Sequence, residues 1–207
     1  MKKYQTLGMI GRFKPLHYGA ANMLESLCES AEHVKIGIGS ANKKNVRNPW
    51  SAEESKSMIE VFLSPKFENY EVLFIPDFGQ DPRYRDGQIW RKHVVEKFGK
   101  LDAFATANDY VKELLQNDYQ IINSCEFVSQ EKRVPIKGSM VRLAMAMGRP
   151  DVWKQMVPDM VAKYLGKNYL VERFIKEFGL ETIAGLADKD YFRTESKNEE
   201  QIHTFDT

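Results

Sequence analysis

Residues 8–20 read GMIGRFKPLHYGA and decide the fold, because they join a short apolar segment to a helix-like one. The apolar segment predicts a strand, and Gly11 lets the chain turn sharply at its end. Apolar residues then recur at helical spacing, which predicts a helix that starts close to His17. The first turn of a helix has free N–H groups and a partial positive charge. A strand–turn–helix unit that also carries Arg12 therefore predicts a phosphate-binding site.

Bulk composition argues against several classes of protein. The chain has 207 residues, and 30 Lys and Arg against 29 Asp and Glu leave a net charge of +1. This balance argues against a general nucleic-acid binder or a membrane-surface binder. No run of about 18 apolar residues and no signal-peptide pattern occurs, so we expect no membrane partner and a cytoplasmic location. Cys28 and Cys125 form no CxxC pair, and we expect both to be buried, reduced thiols.

The order of elements predicts an α/β fold. Strand-like and helix-like segments alternate from residue 5 to about 124, which indicates a parallel sheet of about five strands with helices on both faces. After residue 137 the pattern changes to a helical C-terminal appendage, with helices predicted at 139–147, 151–165 and 168–178. The predicted divisions are a core at 1–137, C-terminal helices of the same domain at 138–187 and a polar tail at 188–207.

The first motif resembles the nucleotidylyltransferase superfamily. Residues 11–20 are similar to its GRFxPxHxGH motif, in the form of archaeal-type nicotinamide mononucleotide (NMN) adenylyltransferases, except that Ala20 replaces the second histidine. The resemblance extends from residue 5 to about 180 and implies a Rossmann-like core. It also implies that Arg12 and His17 are catalytic and contact the phosphates of ATP. The other residues of the turn that the resemblance assigns to ATP binding are Gly11, Phe13 and Gly19.

A second motif lies at residues 136–142, IKGSMVR, which resemble the family's ISGTxIR. The resemblance implies that Arg142 reaches the ATP phosphates and is catalytic. Ser139 is expected to act as the helix N-cap or as a phosphate ligand. A Thr-Ala-Asn sequence at 106–108 resembles the family's S/T-G-N at the adenine side. The residues that these two segments add to the implied ATP site are Lys137, Gly138, Ser139, Arg142 and Asn108.

Two further features resemble the acceptor side of archaeal-type enzymes. Residues 36–54 are similar, through Gly-Ser-Ala and Asn-Pro, to a loop near the nucleotide-monophosphate site. The resemblance implies that Ser40 and Arg47 bind NMN. Trp90 stands where the family has a tryptophan that stacks on the nicotinamide ring, and an aromatic face suits a flat heterocycle. Trp90 also fits a plain core position on an amphipathic helix, so both interpretations stay open.

Together the motifs imply transfer of AMP from ATP to NMN, giving NAD and pyrophosphate. The implied partners are ATP and NMN, with Mg²⁺ carried by the ATP phosphates and no separate metal site, and the resemblance implies a homo-oligomer. One alternative is transfer to another small phosphate, such as nicotinate mononucleotide. The other is a nucleotide-binding protein weakened by Ala20. Lys14 and Lys137 are atypical for the family, which suggests the hypothesis that a lysine partly replaces the second histidine.

Overall fold

The computed structural model describes residues 2–79 and 86–185. Within these ranges the strands are β1 (Tyr4–Gly11), β2 (Ala31–Gly39), β3 (Tyr70–Ile75), β4 (Ala103–Ala105) and β5 (Ile121–Ile122). The α-helices are α1 (Tyr18–Ser30), α2 (Ala52–Leu63), α3 (Gln88–Phe98), α4 (Asp109–Leu115), α5 (Gly138–Ala146), α6 (Pro150–Met156), α7 (Asp159–Lys167) and α8 (Leu170–Ala184). Two short 3₁₀ turns, Ser124–Phe127 and Gln130–Lys132, lie between β5 and α5.

All five strands pair in parallel, in the order β3-β2-β1-β4-β5. Leu7 of β1 pairs with Val34 of β2 on one side and with Ala103 of β4 on the other. The chain thus builds outward from β1 to β3, then crosses to the opposite side of β1 and continues outward to β5. In open parallel sheets, ligands bind beyond the carboxyl ends of the strands at such a reversal of strand order. This topology confirms the predicted Rossmann-like α/β fold and draws attention to the end of β1.

Helices cover both faces of the sheet, as predicted. On one face, a cluster of buried side chains that includes Leu7 and Leu24 joins the sheet to α1, α2 and the C-terminal helices. On the other face, Phe104 of β4 packs with buried side chains of α3 and α4, among them Phe98 and Leu115. Burial of apolar surface is the main favourable contribution to folding. Packing on both faces therefore holds the strand ends in fixed relative positions.

The C-terminal helices differ from the prediction in where they begin and end. The single helix expected at 151–165 is two helices, because the chain leaves helical geometry at Val157 and Pro158. Proline has no N–H to donate and disfavours helical geometry in the preceding residue, and Val157 is accordingly extended, with φ −123° and ψ 152°. The break expected between the helices at 151–165 and 168–178 lies between α7 and α8, at residues 168–169, so Gly166 lies inside α7.

Other sequence predictions have mixed outcomes. Ser51 and Glu54 form a capping box at the start of α2, since the Ser51 hydroxyl accepts from the Glu54 N–H and the Glu54 carboxylate accepts from the Ser51 N–H. Cys28 is buried as expected, but the prediction for Cys125 is wrong because this residue is exposed. The predicted polar tail lies outside the described residues. No described helix combines the length and apolar character needed to cross a membrane.

Candidate active site

The turn between β1 and α1 brings a histidine to the start of a helix. His17 is the N-cap of α1, and its Nδ1 accepts a hydrogen bond from the Ala20 N–H at 3.4 Å. Because Nδ1 is the acceptor, we assign the proton of the neutral imidazole to Nε2. Burial, and secondarily the positive charge of Arg142, lower the pKa of His17 to about 4. At neutral pH His17 is therefore an uncharged hydrogen-bond donor.

Close packing of the two motifs explains the glycine at position 19. A Cβ atom on Gly19 would lie 2.9 Å from the carbonyl oxygen of Ile136 and 3.1 Å from that of Val134. The first turn of α1 thus lies directly against the chain that enters α5. The resemblance implies that Gly19 lies close to ATP, but the two atoms nearest to this Cβ position belong to the protein's own backbone. Any larger residue would push the two motifs apart.

The start of α5 differs slightly from the expectation. Lys137 is the N-cap and Gly138 the first helical residue, so the suggestion that Ser139 caps the helix is wrong. Ser139 instead lies in the first turn, where backbone N–H groups have no intrahelical partner. Arg142 is 4% exposed, and its Nη1 donates to the carbonyl oxygen of Lys14 at 2.8 Å. This bond fixes the guanidinium of α5 against the β1–α1 turn.

A cavity of about 510 Å³ lies between the two motifs. We call it the phosphate cavity, and define it by Gly11, Arg12, Phe13, Lys14, His17, Gly19, Ala20, Lys137, Gly138, Ser139 and Arg142. Every residue that the sequence assigned to ATP, with the exception of Asn108, lines this cavity. Side chains that can donate several hydrogen bonds, above all those of arginine, suit the multiple oxygens of a phosphate chain. The cavity therefore has the chemistry of a polyphosphate site.

A second cavity of about 370 Å³ also has Arg12 in its wall. We call it the aromatic cavity, and define it by Gly11, Arg12, Ser40, Asp77, Trp90, Asn108 and Tyr110. Its members come from the carboxyl ends of β1, β2, β3 and β4 and from the first turns of α3 and α4. Because Gly11 and Arg12 line both cavities, the two meet at the end of β1.

The structure separates the predicted acceptor residues. Ser40 and Trp90 line the aromatic cavity, whereas Arg47 lines neither cavity. Asn108 lines the aromatic cavity, and its side chain caps α4 by accepting from the Val111 N–H at 3.0 Å. Lys44, in the same loop as Arg47, forms an ion pair with Glu177 of α8 at 2.9 Å.

Sequence reasoning missed Asp77 and Tyr110. Asp77 follows β3 by two residues, so its position at a strand end was a usable signal. Tyr110 lies in the first turn of α4 and is 53% exposed. It lies close to Gly87, which has a φ of +74° and where any Cβ would collide with the Tyr110 side chain. Tyr110 thus packs against the start of the helix that carries Trp90.

The C-terminal helices hold the loop between β2 and α2. The indole N–H of Trp50 donates to the Leu170 carbonyl at 3.3 Å, and the carboxylate of Glu54 accepts two 2.7 Å bonds from Arg173. The pKa of Glu54 is lowered, because hydrogen bonds and the charge of Arg173 outweigh the opposing effect of burial. Bidentate pairs of this kind are specific in geometry. The appendage therefore fixes the loop that presents Ser40.

Two results bear on metal binding and on the lysine hypothesis. Among the residues that the structure describes, no group of three or more His, Cys, Asp or Glu side chains is placed to hold a metal ion. The Lys14 ammonium donates to the Ser40 carbonyl at 3.2 Å and to the Asn48 side-chain oxygen at 3.4 Å. It is therefore directed to the β2–α2 loop rather than to Ala20, whereas Lys137 lines the same cavity as Ala20.

Comparison with known proteins places this site in a family. The profile of the cytidylyltransferase-like family matches residues 9–204. A nicotinamide-nucleotide adenylyltransferase from Methanosphaerula palustris is 32% identical over 177 residues, which cover 85% of this chain and 95% of that protein. One from Thermococcus kodakarensis is 29% identical over 171 residues, covering 79% and 84% of the two chains.

A solved structure supports the fold. It is a bifunctional NMN adenylyltransferase/ADP ribose pyrophosphatase from Francisella tularensis, complexed with AMP and a manganese ion, with a TM-score of 0.62 and 19% identity. The similarity covers 99% of this chain but 58% of that bifunctional protein. The matched profile, the similar sequences and the shared fold agree with the paired cavities at the end of β1. The chain belongs to the cytidylyltransferase-like family of nucleotidyltransferases.

Proposed function

We propose that this nucleotidyltransferase transfers AMP from ATP to NMN, giving NAD and pyrophosphate. The observation that carries the proposal is the position of Arg12, which lines both cavities at the end of β1. A triphosphate in the phosphate cavity and a pyridine ring in the aromatic cavity bring their reacting phosphates to this shared boundary. The names of the similar proteins, nicotinamide-nucleotide adenylyltransferases, support the same pair of substrates.

The reaction requires positioning and charge stabilisation rather than a strong base. A phosphate oxygen of NMN attacks the α-phosphorus of ATP in line. A new phosphorus–oxygen bond forms while the bond to the bridging oxygen breaks, and its electron pair leaves with pyrophosphate. The attacking phosphate is already ionised at neutral pH, since its second pKa is about 6. Catalysis then depends on holding two anions in contact and on stabilising the departing one.

Residues of the phosphate cavity supply this stabilisation. His17 donates a hydrogen bond from Nε2, and Arg142 offers its guanidinium to the triphosphate from the opposite motif. Ser139 and the N–H groups of the first turn of α5 add neutral donors, and Lys137 adds positive charge. Mg²⁺ bound to the ATP phosphates would offset part of their charge.

Residues of the aromatic cavity orient the acceptor. Trp90 offers an aromatic face for the nicotinamide ring, and such stacking contributes about 1–3 kcal/mol per base in comparable sites. Ser40 has a φ of +50°, an uncommon conformation for a residue with a side chain. Strained backbone of this kind is found at sites where the surroundings fix it for a functional purpose. We assign Ser40 to the end of the acceptor that carries the phosphate.

The test is a reaction of the purified protein with ATP, Mg²⁺ and NMN, followed by separate measurement of NAD and pyrophosphate. Parallel reactions replace NMN by nicotinate mononucleotide or FMN. We expect equal amounts of NAD and pyrophosphate with NMN and less product with the others. Faster turnover of another acceptor would reassign the substrate. Tight ATP binding without release of pyrophosphate from ATP, whichever acceptor is present, would identify a nucleotide-binding protein without transferase activity.

A further inference from the structure

Lys14 connects three segments of the candidate site through buried bonds. Its ammonium donates to the backbone carbonyl of Ser40 and to the side-chain oxygen of Asn48, in the loop between β2 and α2. Its own carbonyl oxygen accepts from Arg142 of α5 at 2.8 Å. The residue itself is 2% exposed. Lys14 thus joins the β1–α1 turn, the loop between β2 and α2, and Arg142 of the second motif.

The partners of this ammonium are both uncharged. In residues 2–79 and 86–185 no carboxylate forms an ion pair with Lys14. Burial, followed by the positive charge of Arg12, lowers the pKa of Lys14 to about 8. A buried cation without a counter-charge costs folding free energy. Such a cost is compensated in a binding site when an anionic ligand arrives.

The position of Lys14 shows where that anion would be. Lys14 lines the phosphate cavity, and the Ser40 residue that it holds lines the aromatic cavity. The lysine therefore lies beside the boundary at which Arg12 touches both spaces. The charge that acts on the Lys14 ammonium is that of Arg12, the Arg142 guanidinium of α5 bonds the Lys14 backbone carbonyl, and the β2–α2 loop faces the ammonium with uncharged oxygens.

We propose that Lys14 is a positioning residue for adenylyl transfer, which holds the Ser40 loop against the β1–α1 turn and whose positive charge favours the two phosphates at the boundary between the cavities. This inference rests on the proposed function, because it needs two anionic substrates to meet there. Lys14 acts through the loop and through its electric field, since the residue is 2% exposed and its ammonium donates to the loop. A purely structural role would require only the two hydrogen bonds that the Lys14 ammonium donates to Ser40 and Asn48.

Two substitutions separate the charge from the hydrogen bonds. Lys14→Gln keeps a neutral donor on a shorter side chain and removes the charge, whereas Lys14→Met removes both. We expect Lys14→Gln to lower kcat about tenfold, the effect of one partly screened charge near the reacting phosphates, with little change in the KM for ATP. Lys14→Met should also raise the KM for NMN, because the Ser40 loop is released. Lys66→Gln, at a surface lysine paired with Glu25, is the matched control.

The pH dependence of kcat/KM provides a measurement that a purely structural role of Lys14 would not change. In the wild type, kcat/KM for NMN should fall above about pH 8, as Lys14 of the free enzyme loses its proton. The substrate phosphates are already fully ionised in this range. Lys14→Gln should lose this alkaline decline, and Lys66→Gln should keep it. A Lys14→Gln variant with wild-type kcat and the same decline would overturn the proposal.

A binding measurement keeps the inference testable if no NAD is formed. At pH 8, calorimetric titration of ATP in two buffers of different ionisation enthalpy measures the protons taken up on binding. We expect the wild type to take up more protons than Lys14→Gln, because the bound anion raises the pKa of Lys14. Equal uptake by the two proteins would show that Lys14 does not respond to phosphate. If no NAD is formed but the two proteins differ clearly in proton uptake, the proposed reaction with NMN is rejected and the response of Lys14 to phosphate is retained.

Discussion

The phosphate cavity and the aromatic cavity share Gly11 and Arg12 but are built in different ways. The phosphate cavity is formed mainly by two short motifs, and its cations Lys14 and Arg142 are 2% and 4% exposed and held by backbone carbonyls. The aromatic cavity gathers residues from four strand ends, and Tyr110 in its wall is 53% exposed. The phosphate cavity has fixed charges, whereas the aromatic cavity has an exposed aromatic surface.

This difference follows from what each cavity would bind. Stabilising charge that develops during a reaction requires donors that are already in place, because reorganisation during the reaction costs free energy. Stacking on a flat ring depends mainly on contact area and tolerates small displacements. Substitutions in the phosphate cavity should therefore change kcat, and substitutions in the aromatic cavity should change the affinity for the acceptor. Each variant below tests this division.

The largest effect is expected at His17. Replacement by Asn retains an N-cap side chain for α1 but removes the Nε2 donor. We expect kcat to fall about 10²–10³-fold, the usual consequence of losing one preorganised donor. The measurement compares His17→Asn with His17→Ala, together with thermal unfolding of both. If Asn restored wild-type activity while Ala did not, His17 would be only a helix cap.

Arg142 should have the next largest effect. Arg142→Lys keeps the charge but not the planar set of donors, so we expect a loss of about 10- to 100-fold in kcat/KM for ATP. The loss should appear as a lower kcat and a higher KM for ATP, because contacts to departing pyrophosphate strengthen in the transition state. Unchanged ATP kinetics in a folded Arg142→Lys protein would remove this residue from the site.

Trp90 tests the aromatic cavity. Trp90→Ala should weaken NMN binding by about 1–3 kcal/mol and leave ATP affinity nearly unchanged, whereas Trp90→Phe should retain most of the stacking. Trp90 also packs on the buried cluster of α3, β4 and α4, so thermal unfolding of each variant is required. Equal losses for ATP and NMN, together with reduced stability, would assign Trp90 to the core alone.

A smaller effect concerns stability in acid. The pKa of His17 is about 4 in the folded protein against the ordinary histidine value of 6.5, so the unfolded chain binds more protons between these values. Stability therefore decreases as the pH falls from about 6.5 toward 4. His17→Asn should show a shallower decrease in the free energy of unfolding over this range, measured by urea denaturation. A slope equal to that of the wild type would contradict the low pKa.

The same contrast explains what the sequence could predict. Residues of the phosphate cavity belong to two short motifs, so the family resemblance could indicate Gly19, His17 and Arg142 from the sequence alone. Residues of the aromatic cavity depend on the order of strands: Asp77 and Tyr110 meet Trp90 only because β3 and β4 end on opposite sides of β1.

Long-range bonds account for the remaining differences. The partners of the Lys14 ammonium are 26 and 34 residues away, and no local pattern indicates such bonds. The break between α6 and α7 has a different origin, because Pro158 was a visible signal. There the helical spacing of apolar residues outweighed the proline in the prediction, and the covalent restriction of the proline prevailed in the structure.

The smallest change in activity is expected when the second histidine of the motif is restored. The Ala20 N–H already donates to Nδ1 of His17, so the backbone at this position supports the remaining histidine. Lys137 and Ala20 line the same cavity, and a flexible lysine can reach a phosphate oxygen from a different backbone position. If Lys137 does so, Ala20→His should change kcat by less than about threefold in the wild type.

The double-mutant cycle decides this hypothesis. In a Lys137→Ala background, Ala20→His should restore a larger fraction of the lost activity than it adds to the wild type, because two groups that serve the same ligand are not additive. Ala20→Leu controls for the added side-chain volume, and thermal unfolding identifies variants that fail to fold. A gain of about a hundredfold from Ala20→His alone would match the full value of a missing donor. It would show that Lys137 does not substitute for the second histidine and that the phosphate cavity of the natural chain lacks one hydrogen-bond donor.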